Sequence, residues 1–518
     1  MYNRSKGMAL RSIALVLALL MAAMAVSACS SQAPATSSAP VGTSESAAPS
    51  GDEAPFEIEI LTRFHTPESP TAENLAVAEI ERIANVKLNI TWIPQTAYDD
   101  KINVTIASGD YPQVMLITGN AKPMAVEVEA VRAGMFWKVG DYLQDYDNLK
   151  SLNASAIENA SIDGELWGMY RTRPLARTGF FYRTDWMEKF NLEAPKSPEH
   201  LKEILRKFVN EDPDGNGVND TAGMAQEDLL DSAIAAVAPY FGLPHKWFIE
   251  NDTLRPIQYD ERYFEIVKWF KECYDEGLMN RDFPTVNSAQ RDELMTGRYG
   301  FAFTSIDKGD KAVVALQQIN PNADFTVGLT FSEAPEQYIW GRAGWDGKYY
   351  ISTQKVKEEA DVRRIMEYFN AMHSPEISNL IAYGFEGTHY DKVDDKTIRI
   401  SEEQKTKFLQ EIEVMEQLGF RYTVNNYSVA DMPSYQAQYT EIFKTKDALT
   451  RGDPTAAFNS ETYNEKGKDL ETFLNDTNTK FITGAIDEAG WRSAIEQWGK
   501  TGFDNIVKEY QEVYDATK

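Results

Sequence analysis

Cysteine and histidine are scarce, with two cysteines and five histidines in 518 residues. So few thiols exclude a disulfide scaffold and any Cys-rich zinc site. The histidines, His65, His200, His245, His373 and His389, form neither an HExxH helix nor a ligand-spaced pair, and each is expected to be an ordinary surface or turn residue. A GxSxG elbow, a Walker loop and a GxGxxG turn after a strand are also missing, so no catalytic constellation stands out. Positive charge is in short supply too: 52 Lys and Arg face 79 Asp and Glu, for a formal charge of −27. A surface that acidic is repelled by phosphate and releases no counterions. This excludes a non-specific binder of nucleic acid or anionic membranes.

What is abundant is apolar and aromatic: 43% hydrophobic residues, with 10 Trp, 25 Tyr and 25 Phe. A mainly disordered chain is thereby excluded. The length suits several domains or one large two-lobed unit.

The first 28 residues have the form of a targeting signal. Arg4, Lys6 and Arg11 precede an apolar run from Ile13 to Val26, which is too short for a membrane span and right for a secretory signal. It ends in Val26-Ser27-Ala28-Cys29, which resembles the bacterial lipobox, where the cysteine is diacylated (palmitate) and becomes the new N-terminus. An ordinary signal peptide with an incidental cysteine is the alternative. Cleavage before Cys29 leaves 49 basic against 79 acidic residues, a charge of −30. Residues 29–55, mostly Ser, Ala, Pro, Thr and Gly, can bury nothing and form a flexible tether. Cys273 lies beside the helical stripe Tyr263, Ile266, Val267, Phe270 and Tyr274, which predicts a buried structural thiol.

In the body, Phe56 to Thr62 alternates as a strand does. A helical pattern follows over Leu75–Ala84, then alternation over Val86–Trp92, a helix over Asp100–Ala107 and a short apolar strand at Val114–Ile117. This order predicts a parallel sheet with covered faces. Further on, Ser197-Pro198 caps a helix with Leu201, Ile204, Leu205, Phe208 and Val209 on one face. Residues 361–373, 402–417 and the C-terminal stretch around Ile506 to Tyr514 also have helical spacing.

Asp212-Pro213-Asp214-Gly215-Asn216-Gly217-Val218-Asn219-Asp220 is the most specific local signal. Oxygen-bearing side chains at positions 1, 3, 5 and 9, Gly at 6 and a backbone carbonyl from Val218 at 7 are how an EF-hand-like loop wraps calcium. Position 12 is Gly223 instead of a bidentate Glu, and a polar turn without metal is the alternative. The second signal is aromatic: Trp137, Trp167, Trp186, Trp247, Trp340 and Trp345 all stand in or beside Gly-, Pro- or charge-containing segments. Trp340-Gly341-Arg342-Ala343-Gly344-Trp345-Asp346-Gly347 combines flat rings with Arg and Asp, the chemistry of a sugar platform, although a single Trp more often belongs to a core.

Taken together, Asp99-Asp100-Lys101-Ile102-Asn103, Ala107 to Pro112, Asp163 to Gly168, Tyr182 to Trp186, the Asp212 loop and Gly384 to Tyr390 resemble the large lipoprotein solute-binding proteins of bacterial ABC carbohydrate importers. The resemblance implies an α/β fold of two lobes, each a mostly parallel sheet flanked by helices, with ligand in the cleft and crossing strands as hinge. It implies crossings near Tyr170–Gly179 and Leu329–Pro335. Lobe I is then 56–172 with about 331–372, and lobe II about 173–330 with 373–518. It also implies structural calcium on Asp212, Asp214, Asn216, Val218 and Asp220. Strand-end loops facing the cleft would supply Arg63, Asp110, Trp167, Tyr170, Trp247, Arg342, Trp345 and Tyr390 as ligand residues. Arg63, Arg171, Arg173, Arg177, Arg183 and Arg342, if they converge, would favour an acidic sugar such as a uronate oligosaccharide. The expectation is a non-enzymatic, monomeric, lipid-anchored receptor on the outer face of the cytoplasmic membrane that hands a saccharide to ABC permease subunits. A surface glycosidase or polysaccharide lyase, and a sensory or adhesive lipoprotein, are the competing readings.

Overall fold

The computed structural model describes residues 54–518 apart from 67, 72, 120–121, 296, 307–308, 420–426, 431–434, 436, 439–440, 443–445 and 517. The signal, Cys29 and nearly all of the tether lie outside the described residues. Strands run, in chain order, β1 (Phe56–Phe64), β2 (Val86–Pro94), β3 (Val114–Ile117), β4 (Gly168–Thr172), β5 (Thr178–Arg183), β6 (Ala222–Ala225), β7 (Trp247–Glu250) and β8 (Thr253–Pro256). They continue as β9 (Tyr299–Ser305), β10 (Phe325–Gly328), β11 (Ile339–Trp340), β12 (Trp345–Ile351), β13 (Asp391–Lys392), β14 (Thr397–Arg399), β15 (Ser428–Val429) and β16 (Thr450–Arg451).

Two sheets organise the body: β2-β1-β3-β12-β4 and β10-β5-β9-β6. In the first, β1 pairs in parallel with β2 and β3 through helical crossovers, while β12 enters antiparallel between β3 and β4. In the second, β6 and β9 are parallel, whereas β5 is antiparallel to both β9 and β10. The sheets are therefore mixed, because strands that return from the opposite sheet arrive in the reverse direction. All four residues of β3 are buried, as its unbroken apolar run requires of a strand covered on both faces.

The helix Leu75–Ala84 shows how local sequence sets the crossover. Asn74 Oδ1 accepts from the backbone N–H groups of Ala76 and Val77, and Ala76, Val77 and Ile80 turn inward. Asn85 ends the helix in the left-handed region at φ 50°, which Asn tolerates better than most residues.

Each sheet has its own core. The first gathers β1 to β4 and β12 with helices Glu359–Met372 and Pro375–Tyr383 and with Val414, Met415 and Leu418. Within it the Lys348 ammonium lies 2.7 Å from Glu127, both fully buried, and Tyr350 also donates to Glu127. On the second sheet, Phe180 and Tyr182 face a core built with helices Pro198–Asn210 and Glu261–Asp275, while Phe181 faces a smaller one on the other side. Cys273 is fully buried in the former, where burial pushes its thiol pKa up and leaves it inert. The 402–417 stretch is helical only to Glu411 and closes as a 3₁₀ turn over Glu413–Gln417.

Candidate functional site

Strand direction decides where side chains can meet. The carboxyl ends of β1, β3 and β4 and the start of β12 share one edge of the first sheet. The carboxyl ends of β6, β9 and β10 and the start of β5 share one edge of the second. The segment from Arg173 to Arg177 joins β4 directly to β5, so these two edges meet the crossing segments. Backbone bonds tie the crossings together: Arg173 N–H donates to Gly344 O (2.8 Å), Arg342 N–H to Leu175 O (2.7 Å) and Gly341 N–H to Arg451 O (2.7 Å). Open α/β sheets place ligands outside such carboxyl ends.

On the first edge three guanidinium groups surround one carboxylate. Asp346 lies 2.6 Å from Arg173, 3.6 Å from Arg63 and 3.7 Å from Arg171. Burial works to raise its pKa, but Arg173, Arg171 and Arg63 together hold the carboxyl below the usual range. Arg63 Nε also donates to Gln417 Oε1 (2.9 Å), and the fully buried Arg171 donates to Glu416 O (2.8 Å).

Four residues before Asp346 on the same segment stands Arg342, which donates to Thr178 Oγ1 at the start of β5 (2.9 Å). Around it the second edge is charged. Lys246 Nζ pairs with Asp231 at 3.0 Å although both remain open to solvent, and Lys246, with Arg342, holds the Asp231 carboxyl below its ordinary pKa. Lys122, from the loop after β3, crosses over to donate to Thr455 O (2.7 Å) and Phe458 O (3.2 Å) and lies over the Tyr510 ring at 4.6 Å. Burial pulls its ammonium down to about 8 against the opposing pull of Asp453 and Glu471. Asp453 is pushed down to about 2: burial opposes ionisation, but His245, 3.5 Å away, and Lys122 overcome it. Half-buried Tyr463, donating to Glu471 (2.7 Å) with Lys122 Nζ 5.7 Å from its ring centroid, completes a wall of acids, cations and one aromatic ring.

Of the residues expected to bind ligand, Arg63 and Arg342 lie on these edges. Asp110 and Trp167 precede β3 and β4, at the opposite ends of those strands, and Trp167 Nε1 is spent on Ile162 O (3.2 Å). Tyr170 is fully buried in β4. Trp340 and Trp345 are core residues, their Nε1 atoms donating to Leu243 O (2.9 Å) and Asn159 O (3.0 Å). The glycines of that motif serve backbone geometry: Gly344 has φ 82°, and a Cβ there would meet Leu175 and Ala156 at 2.8 and 2.9 Å. Trp247 is buried against Phe503 and Tyr510, and Tyr390 against Tyr383 and Tyr427. Arg183 lies at the far end of β5, paired with Asp185. The expectation for the histidines fails for His245, His373 and His389, which are buried because ring nitrogens satisfy backbone groups: Gly341 O, Phe369 O and the Phe385 N–H. Lys122, Asp231, Lys246, Asp453, Tyr463 and Glu471 stand outside the expected set, and Asp346 entered it only as part of the Trp340–Gly347 motif. Only the positions of Lys122, just after β3, and of Asp346, inside the Trp motif, gave a signal.

Residues 76–376 match the family of bacterial extracellular solute-binding proteins. The chain belongs to that family. It is 30% identical over 97% of its length to lipoprotein LipO of Bacillus subtilis, covering 98% of that protein. It is also 30% identical over 86% of its length, and 88% of the relative's, to the polygalacturonan/rhamnogalacturonan-binding protein YtcQ of the same organism. The fold is shared with an extracellular solute-binding protein from Bifidobacterium longum subsp. infantis, at TM-score 0.69 and 16% identity over 89% of this chain and 98% of that one. Among the described residues, no helix of this solute-binding protein is long and apolar enough to cross a membrane.

The Asp212 loop of the solute-binding protein is held by its own hydrogen bonds. Asp212 accepts from the N–H groups of Gly215 (2.9 Å), Asn216 (3.1 Å) and Gly217 (2.9 Å). Asn216 Nδ2 lies 2.9 Å from Asp214 and 3.2 Å from Asp220, so a donor stands where carboxylates converge. Burial, then the neighbouring Asp212, raises the Asp214 pKa. Among the described residues no three acidic, His or Cys side chains already form a metal cage. Thr221 is buried, its hydroxyl donating to Phe208 O (2.7 Å), and it brings no carboxylate to the loop.

Proposed function

We propose that this protein is a lipid-anchored receptor that captures a saccharide between two lobes and delivers it to the permease subunits of an ABC transporter. The observation that carries this reading is the meeting of two carboxyl edges, each lined with charged side chains, at the crossing segments, with half-buried Tyr463 among them. Sugar hydroxyls donate hydrogen bonds to such carboxylates and accept them from the cations, and a ring packs against their C–H faces. The relative named for polygalacturonan and rhamnogalacturonan supports a saccharide ligand.

Lobe I comprises 56–172 with about 345–419, and lobe II about 178–340 with 435–516. These replace the boundaries expected near 331 and 373, because Phe331, Tyr338 and Trp340 pack in the second core and Ile377 to Leu418 in the first. Cys29 carries the acyl anchor, palmitate included, and holds the receptor outside the membrane as a monomer. It binds and releases its ligand without chemistry. Asp212, Asp214, Asn216 and Asp220, with the Val218 carbonyl, hold a structural calcium ion once the Asn216 amide turns its oxygen inward. Titration calorimetry against a saccharide panel, with amino acids and peptides as controls, tests the reading; binding confined to peptides contradicts it.

A further inference from the structure

The loop from Thr450 to Phe458 is built as a fixed seat. Its strand β16 pairs in parallel with β11, and Arg451 O accepts from Gly341 N–H on the crossing segment (2.7 Å). Asp453 turns the chain that follows, accepting from the N–H and the hydroxyl of Thr455 (2.8 Å each). It also faces His245, whose other ring nitrogen meets Gly341 O (2.8 Å). The carbonyls of Thr455 and Phe458 then point at one ammonium, that of Lys122, at 2.7 and 3.2 Å. Two rings flank it, Tyr510 at 4.6 Å and Tyr463 at 5.7 Å, and Tyr510 is itself wedged between Trp247 and Phe458.

Lys122 is rooted elsewhere. It follows β3, and its own loop is bound to the first sheet, where Gly119 O accepts from Gly347 N–H (2.6 Å) and Met124 packs on the first core. Its seat belongs to the cluster of Trp247, Leu470, Trp498 and Tyr510, which Leu474 joins to the core of the second sheet. The side chain therefore leaves one core and ends in the other. Two carbonyls and two ring faces form a cage that suits an ammonium, because charge-assisted hydrogen bonds and ring quadrupoles replace its lost water. Although burial pulls the group down to about 8, it remains cationic at pH 7.

Resting on the two-lobe reading above, we infer that Lys122 is a latch: it holds the lobes in this arrangement, and the receptor opens by withdrawing the ammonium from the Thr455–Tyr510 cage. The crossing segments let the lobes turn, and a side chain seated across them sets which angle is preferred. A compact charge on a flexible four-carbon stem can leave such a seat for water without unfolding either side.

Pulsed electron–electron resonance reads the lobe angle from spin labels at two exposed helical positions, Glu367→Cys in Glu359–Met372 and Ser493→Cys in Glu488–Trp498. The full-length acylated chain is used in detergent, where buried Cys273 takes no label. Without ligand, the labelled parent gives one main distance. Lys122→Met, which keeps the stem and loses the donors and the charge, raises the ratio of displaced to main distance at least about tenfold, the worth of one charged hydrogen-bonded contact. Tyr463→Leu raises it less, and raises it no further on top of Lys122→Met, because the ring acts through the ammonium. An unchanged distribution in Lys122→Met overturns the latch, and so does full additivity of the two changes. If a saccharide panel still shifts the distance in that case, the two-lobe receptor stands; if nothing shifts it, the hinge falls with the latch. A melting curve identifies a variant that fails to fold, and Tyr463→Leu, altered on the other side of the contact, then carries the comparison.

Discussion

Arg173 Nη2 and Asp346 Oδ2, 2.6 Å apart, join the end of β4 to the start of β12 at the point where the chain leaves one sheet and re-enters it. The pair is partly buried and shared with Arg63 and Arg171, so it is one element of a network. Asp346→Asn leaves three guanidinium groups together with no carboxylate at their centre. It is expected to cost about 1–3 kcal/mol of stability, read as a lower urea midpoint with unchanged slope.

Lys348 and Glu127 are paired at zero exposure, with Tyr350 donating to the same carboxylate and Lys348 donating to Ala160 O. Breaking such a pair leaves an uncompensated buried charge. Lys348→Met is expected to cost about 3–5 kcal/mol, and Glu127→Gln with Lys348→Met to recover a good part of it, in a double-mutant cycle of unfolding free energies.

Burial pushes His373 down to about 4, with its ring nitrogen held at Phe369 O (2.8 Å). An unfolded histidine titrates near 6.5, so between those values the unfolded state binds the extra proton. Stability contributed by neutral His373 is therefore complete above about pH 6.5 and is lost as pH falls toward 4, by about 3 kcal/mol in total. The imidazole resonance of His373, followed by NMR, should stay neutral until about pH 4.

Chelation is expected to lower the melting temperature, and Asp214→Ala to abolish that effect, because a ligand bound only by the folded state raises stability by mass action. Equal melting with and without chelator would show the Asp212 loop to be a self-bonded turn.

Local patterns carried much of the fold. The alternation of Phe56–Thr62, the apolar run Val114–Ile117 and the Ser197 cap each act over a few residues, and each element lies where its pattern places it. The site is different, because it is assembled from residues far apart in the chain. Asp346 meets Arg63 across 283 positions, and Lys122 meets Thr455 across 333. Aromatic content misled for a related reason: Trp340 and Trp345 sit in a glycine-rich segment that reads as a loop, but the segment crosses between sheets and its rings are needed inside. Direction along a strand was the missing information for Asp110 and Trp167, which precede their strands.

A crystal structure with a bound saccharide decides where the ligand sits. Sugar density is expected between the two carboxyl edges, touching the Arg63–Asp346 side and the Asp231–Tyr463 side together. Density confined to the groove along β2, lined by Glu59, Thr91, Trp92, Lys101 and Asp110, would contradict it.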